Sequence, residues 1–291
     1  MRSGRRQADS ARGASAPASR PVASTPPAYA SRPLVESRLC GHVAWIEFGD
    51  PAQRNLLTEP LLEALPPALA AAAAQAARVV VLRGRGEFFS AGYDISRIPA
   101  QLFDAEPETA LSHPFERCMR AVVDCPLPTI AAVNGHAIGG ALELAASCDL
   151  QLARAGARLG ITAARLGLVY PHTGLEKIVR LLGVANARRL LFTGDLVDAE
   201  EAERLGLVNQ VVPASGFDAA VEALALRIAA CSPLAVQGMK QVLRIVERGA
   251  PIADAEVRAI LALRQRSYHS EDFSEGRAAF DAKREPRFRG R

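Results

Sequence analysis

Two short apolar runs constrain this chain most. Arg78-Val79-Val80-Val81-Leu82-Arg83 places consecutive aliphatic side chains between two arginines, and Thr129-Ile130-Ala131-Ala132-Val133 is apolar at almost every position. Neither run alternates, so neither suits a strand with one wet face. Both suit strands covered on both faces, as in a parallel sheet. Each run leads into a glycine-bearing loop and then a helical pattern. Asp149 to Ala153 reads as a third strand, and Asn209 to Val212 as a short further one. Leu34 to Phe48 alternates around Cys40-Gly41 and reads as a hairpin. Helices are expected over Leu57 to Ala77 with an interruption at Pro66-Pro67, over Pro114 to Asp124, over Gly140 to Ser147, and through most of the chain from Thr173 onwards. Strands alternating with helices predict an α/β fold, and the mostly helical last third predicts an appended helical layer.

Charge divides the chain unevenly. The net charge is +4. Residues 1–33 hold six arginines and one acid, Asp9, for +5, which leaves −1 for residues 34–291. The first segment is rich in Arg, Ser, Ala and Pro and cannot bury enough apolar surface to offset its ordering entropy, so it is expected to be a disordered basic tail. An inert tail, a targeting segment and an anion-binding arm all remain open for it, although Pro21, Pro26, Pro27 and Pro33 disfavour an amphipathic transit helix. The organisation expected is a tail at 1–33, an α/β core at 34–215 and a helical region at 216–291. With 49% hydrophobic and 23% charged residues, the chain is no collagen, coiled-coil rod or wholly disordered polymer. The most apolar stretch, Ala64 to Ala77, is short and broken by prolines, so no membrane association is expected. Five cysteines (40, 118, 125, 148, 231) lie scattered without metal-ligand spacing. They are read as reduced thiols in a cytoplasmic setting, with no metal bound.

The loops after the two apolar runs carry the functional signal. The first is Phe89-Ser90-Ala91-Gly92-Tyr93-Asp94-Ile95, and the second runs from Asn134-Gly135 through Gly139-Gly140 to Glu143. Each sits where a parallel strand hands over to a helix, the end of an α/β sheet where ligands bind. Gly92, Gly139 and Gly140 let backbone approach a ligand, and N–H groups at a helix start favour negative charge. Two such groups converging on one oxygen would make an oxyanion hole. The same glycines could equally serve turns and close packing. Neither loop has the spacing of a P-loop or a dinucleotide fingerprint. Glu143, three residues into an otherwise apolar helix, either caps that helix or stands poised in a cleft. Ser90 has no His–Asp pair recognisable by spacing, so a serine hydrolase is not expected.

Taken in order, these motifs resemble the crotonase (enoyl-CoA hydratase/isomerase) superfamily over about Leu34 to Arg291. The resemblance is carried by Arg54-Asn55-Leu56, the Phe89–Ile95 loop, Pro128 through Gly135, Gly139-Gly140, Glu143 and Cys148-Asp149-Leu150. Further on it is carried by Leu191 to Gly194, Ala202 to Asn209, Ser232-Pro233-Leu234-Ala235, Ser270 to Gly276 and Phe280 to Phe288. It implies a β-β-α superhelix with a C-terminal helical trimerisation region, acyl-CoA thioester substrates, and a homotrimer or dimer of trimers. It implies no cofactor beyond the coenzyme A that the substrate carries. The backbone N–H groups of Tyr93 and Gly140 would hold the thioester oxygen, with Ala91, Gly92, Asp94, Ile95 and Gly139 shaping the surrounding substrate site. Arg54, Phe280 and Lys283 match segments that contact coenzyme A. The body, at −1, offers no broad basic footprint for nucleic acid.

The sequence also departs from that pattern. Hydratases of the family use two glutamates across the substrate. Glu143 matches the first, while Ala163 stands where the second is expected and nearby Arg165 is permanently charged. The usual Pro-x-x-Gly turn becomes Leu168-Val169-Tyr170-Pro171-His172-Thr173-Gly174. This pattern resembles the branch that contains methylmalonyl-CoA decarboxylase, which also lacks the second glutamate and carries a tyrosine at the position of Tyr170. It differs in having Tyr93 where that decarboxylase has histidine. Tyr170 could therefore be a proton donor or a packing tyrosine. Three readings follow. They are a hydratase or isomerase working with Glu143 as its sole carboxylate, a decarboxylase using Tyr170, and a non-catalytic CoA- or RNA-binding member. His136 and His172 are expected to be structural or solvent-facing.

Overall fold

Six strands form the main sheet: β1 (Val35–Cys40), β2 (Val43–Phe48), β3 (Val79–Gly84), β4 (Thr129–Val133), β6 (Leu150–Arg154) and β9 (Gln210–Val212), in the spatial order β1-β2-β3-β4-β6-β9. The computed structural model describes residues 32–93 and 113–291, so nearly all of the basic tail, together with Asp94 and Ile95, lies outside the described residues. β1 and β2 form the antiparallel hairpin expected from Leu34 to Phe48, and every later pairing in this sheet is parallel. Residues Pro33–Arg291 pack as one unit.

The two apolar runs are buried for the reason their pattern implied. Val80 and Leu82 of β3, with Ala131 and Val133 of β4, face a core shared with α1 (Glu59–Ala74), α2 (Pro114–Asp124) and α3 (Gly140–Ala146). Val79, Val81 and Ile130 face the other way, against Phe217, Val221 and Ala225 of α6 (Phe217–Ala229). A sheet clad on both sides needs apolar residues at both parities. The arginines at the two ends of the first apolar run tie it to the C-terminal region. Arg78 donates to the carbonyls of Ala229 (2.9 Å) and Phe288 (2.7 Å), and Arg83 pairs with Asp218 at 2.8 Å.

Helix α1 corrects one expectation. It runs unbroken through Pro66 and Pro67. Each proline removes one N–H donor, but Leu61, Leu62, Leu65, Leu69 and Ala72 are all buried on its inner face. Their packing outweighs the missing hydrogen bonds. A second sheet, β5 (Ala137–Ile138), β7 (Arg158–Gly160) and β8 (Val197–Asp198), had no sequence signature. Strands of two or three residues are too short to show a period. Helices α4 (His172–Thr193, kinked at the non-helical Gly183), α5 (Ala199–Leu205), α7 (Pro233–Val246), α8 (Asp254–Tyr268) and α9 (Glu271–Asp281) complete the helical last third. Among the described residues no single helix is long and apolar enough to cross a membrane.

Two buried asparagines staple the loop that leaves β3. Asn55 Nδ2 donates to the carbonyls of Arg85 (2.8 Å) and Phe88 (2.9 Å), and Asn134 Nδ2 to those of Gly84 (2.9 Å) and Gly86 (2.8 Å). Asn134→Ala orphans those carbonyls and is expected to lower the unfolding free energy by about 1–3 kcal/mol in chemical denaturation. An unchanged midpoint would show that the loop holds itself.

Candidate active site

Because β3 and β4 are parallel neighbours, their loops leave the sheet at the same edge. The first loop is laced between two other segments. Ala91 N–H donates to the Arg54 carbonyl (2.9 Å) and Leu57 N–H to the Gly92 carbonyl (2.9 Å). On the other side Ser90 N–H donates to the His136 carbonyl (3.1 Å) and Ile138 N–H to the Ser90 carbonyl (3.3 Å). Gly92 has φ +97°, and a Cβ there would lie 2.3 Å from the Ile138 carbonyl oxygen. That position therefore requires glycine on two counts. Gly139, at φ +58°, turns the chain into α3 and is anchored by its N–H on the Gly160 carbonyl (2.8 Å). Gly140 opens α3, so its N–H has no acceptor within the helix. A Cβ on Gly140 would stand 2.7 Å from Phe115 Cε2 and 3.5 Å from Tyr93 Cβ. Gly92, Tyr93 and Gly140 thus meet at one place.

Glu143 sits behind that meeting point and is fully buried. It is not a helix cap. Its Oε1 accepts from Lys177 Nζ at 2.8 Å, while Oε2 is buried without a hydrogen-bond partner. The Tyr170 hydroxyl is buried and likewise unpartnered. The two groups face each other within reach of a hydrogen-bonding interaction that favours the charged carboxylate and the neutral phenol, although it falls short of regular hydrogen-bond geometry. Gly174, in the first turn of α4, makes room for them. A Cβ there would lie 2.4 Å from both Glu143 Oε2 and Tyr170 Cε1. Burial pushes the Glu143 carboxyl above its ordinary range, with the Lys177 ammonium opposing the rise. Burial and the adjacent Glu143 charge push the Tyr170 phenol well above its usual value. Glu116, on α2, adds negative potential to both and is itself held by Thr173 Oγ1 at 3.0 Å.

Tyr93 is fixed from the opposite side. Its ring packs edge-on against Phe115 and His113, with centroids 5.7 Å apart in each case. Its hydroxyl lies 3.3 Å from His113 Nε2. His113 Nδ1 accepts from Phe115 N–H at 3.2 Å, so the neutral ring carries its proton on Nε2. Burial lowers the His113 pKa, which favours that neutral ring.

Other expected residues fall into place differently. Arg54 is exposed, and its guanidinium lies 5.5 Å from the centre of the Phe88 ring at the rim of the loops. Phe280 is 84% exposed and borders a cavity among the C-terminal helices with Ser232, Ser267 and Phe288, and Lys283 is exposed beyond it. No described contact joins either residue to the glycine loops. Ser90 Oγ accepts from Gly92 N–H (3.0 Å) and shapes the loop. His136 Nδ1 accepts from Arg158 N–H (2.9 Å). Ala163 opens a 3-10 turn, Ala163–Leu166, and Arg165 is turned to Asp195 and the Thr193 carbonyl. Among the described residues no group of three or more His, Cys, Asp or Glu side chains could hold a metal ion. The sequence reading missed Lys177, Glu116, Thr173 and His113. The one available signal was Gly174, whose neighbour one helical turn on is Lys177.

The solved structures that superpose on this chain make it an α/β protein of the crotonase fold with a C-terminal helical region. The sequence pattern of the family "Enoyl-CoA hydratase/isomerase" matches residues 39–291. A 2,3-dehydroadipyl-CoA hydratase of Escherichia coli is 35% identical over 83% of this chain and 92% of that protein. The methylmalonyl-CoA decarboxylase of the same organism is 30% identical over 85% of this chain and 95% of its own length. Among solved structures, an enoyl-CoA hydratase/carnithine racemase from Magnetospirillum magneticum superposes with a TM-score of 0.82 at 33% identity, covering 90% of this chain and 97% of that one. The chain belongs to the enoyl-CoA hydratase/isomerase family.

The raised Glu143 carboxyl has a measurable consequence. The folded protein holds this proton more tightly than the unfolded chain does. The stability Glu143 contributes is therefore present at low pH and lost as pH rises through its raised folded value. In chemical denaturation across the acid range, wild type is expected to lose stability relative to Glu143→Gln as pH rises. A pH-independent difference between the two proteins would contradict the raised value.

Proposed function

We propose that this protein processes acyl-CoA thioesters by enolate chemistry of the hydratase/isomerase type. The backbone N–H groups of Tyr93 and Gly140 hold the thioester oxygen, and Glu143 moves the proton. The observation that carries this reading is Glu143 itself: fully buried, tethered to Lys177 through one oxygen, its other oxygen beside the Tyr170 phenol. As an enolate forms, charge moves onto the thioester oxygen, and each preorganised donor is worth about 3 kcal/mol of barrier. In hydration, the water oxygen adds to the β-carbon of the enoyl thioester. Glu143 takes a proton from that water and then delivers it to the α-carbon of the enolate. In isomerisation, Glu143 removes a proton from one carbon of the acyl chain and returns it to another. Arg54, Ala91, Gly92 and Gly139 border the path for the coenzyme A portion. This chemistry calls on no redox cofactor.

Decarboxylation is favoured by a separate observation. Ala163 offers no second acid–base group, while the buried Tyr170 hydroxyl stands beside Glu143. Loss of carbon dioxide leaves its bonding electron pair as the same enolate, which the same two N–H groups would hold. Tyr170 or water would then protonate the α-carbon.

A side-by-side assay with crotonyl-CoA and methylmalonyl-CoA separates the two readings. Turnover of crotonyl-CoA is expected, and Glu143→Gln should lower it about 100-fold or more. Tyr170→Phe should spare hydration and impair any decarboxylation. Equal loss of both activities in Tyr170→Phe would make Tyr170 a packing residue. Failure of wild type to turn over or bind either thioester would overturn the enzyme reading.

Assembly as a trimer or a dimer of trimers is proposed with this function. Met239, Leu243 and Val246 are exposed and share one face of α7, with Val257 and Leu261 exposed on α8, and this supports an interface between copies. Light scattering is expected to report three or six chains. A monomer would refute the assembly.

A further inference from the structure

Glu143 is faced by charged or titratable groups from three places in the fold. Lys177 comes from α4, Tyr170 from the segment just before α4, and Glu116 from α2. Of these only Lys177 is cationic. Its Nζ donates to Oε1 at 2.8 Å, and its side chain is 16% exposed, so the pair is largely out of water. Oε2 lies instead against the Gly174 backbone and the Tyr170 ring. We propose that Lys177 is a positioning residue for the reaction assigned above: it locks Glu143 through Oε1 and so reserves Oε2, beside the Tyr170 hydroxyl, as the oxygen that takes and returns the proton. The inference rests on Glu143 being the proton-moving group.

The physical case has two parts. A glutamate side chain has three rotatable bonds, and without a tether the two oxygens of Glu143 could exchange places. The ammonium breaks that equivalence, because Oε1 gains a charge-assisted hydrogen bond that Oε2 lacks. The second part is charge. Burial and the Glu116 carboxylate both drive Glu143 towards its protonated form, and a protonated carboxyl cannot accept a proton from water or carbon. Lys177 is the opposing cation. It approaches from α4 because Gly174, one turn earlier, has no side chain to hold that helix away from Glu143 and Tyr170. Lys177 touches no reacting atom in this arrangement and acts through Glu143 alone.

Three variants separate the tether from the charge. Lys177→Arg keeps both, Lys177→Gln keeps a neutral donor, and Lys177→Met removes both. The first measurement is an infrared titration of the ligand-free protein, with the Glu143 band isolated as the difference from a matching Glu143→Gln variant. The Glu143 midpoint is expected to rise by about one pH unit or more in Lys177→Met. It should rise also in Lys177→Gln and stay near wild type in Lys177→Arg. The second is the pH profile of kcat on whichever thioester wild type turns over. Its acid limb should move up by the same amount while KM stays within about threefold. An unmoved Glu143 midpoint in Lys177→Met would overturn the proposal. So would a loss of kcat that is equal at every pH and not rescued by Lys177→Arg. If Lys177→Met does not fold, Lys177→Gln carries the same two outcomes. A wild type that turns over no thioester defeats the proposed function, and the infrared midpoint alone then decides what Lys177 does to Glu143.

Discussion

The site depends on one contact between backbones. Gly92 lies so close to the Ile138 carbonyl that a single methyl group would stand 2.3 Å from that oxygen. Only this absence of a side chain lets the loop after β3 lie flat on the segment that opens α3. The hydrogen bonds of Ser90 and Ile138 then hold the two together. Once they touch, Tyr93, Gly140 and, one helical turn on, Glu143 have fixed relative positions. The parallel pairing of β3 with β4 is what brings the two loops to the same sheet edge.

Behind that contact the molecule accepts an electrostatic cost. It buries a carboxylate with a single cation, a nearby phenol and a second carboxylate. Removing one partner from a buried ion pair costs about 3–5 kcal/mol, because the other charge is left unpaired. Replacing such a pair with apolar residues is often neutral, so stability alone does not call for Glu143 and Lys177.

The departures from the family pattern are local and leave the fold intact. Ala163 and Arg165 lie in a short turn whose arginine is turned away to Asp195 and the Thr193 carbonyl. The charged and titratable groups closest to Glu143 come instead from α4, the Tyr170 segment and α2. The relatives include both a hydratase and a decarboxylase.

By itself the sequence determined the α/β class, the hairpin, the buried strands and the two glycine loops. These follow from local rules: unbroken apolar runs for strands covered twice, and glycine where a side chain will not fit. Glu143 was legible as a carboxylate out of place in an apolar helix, but whether it capped that helix or faced a cleft was not. Only the tertiary structure shows that it pairs with Lys177 and does not cap its helix. The partners of Glu143 lie 27 and 34 residues away at Tyr170 and Lys177, and Glu116 approaches from another helix. No spacing rule links groups brought together by helices crossing in space. The same limit applies to Pro66 and Pro67, which local propensity reads as a break and burial of the leucines beside them overrides. It applies again to Lys177, one charged residue among many on a long helix until Gly174 lets that helix close on a buried carboxylate.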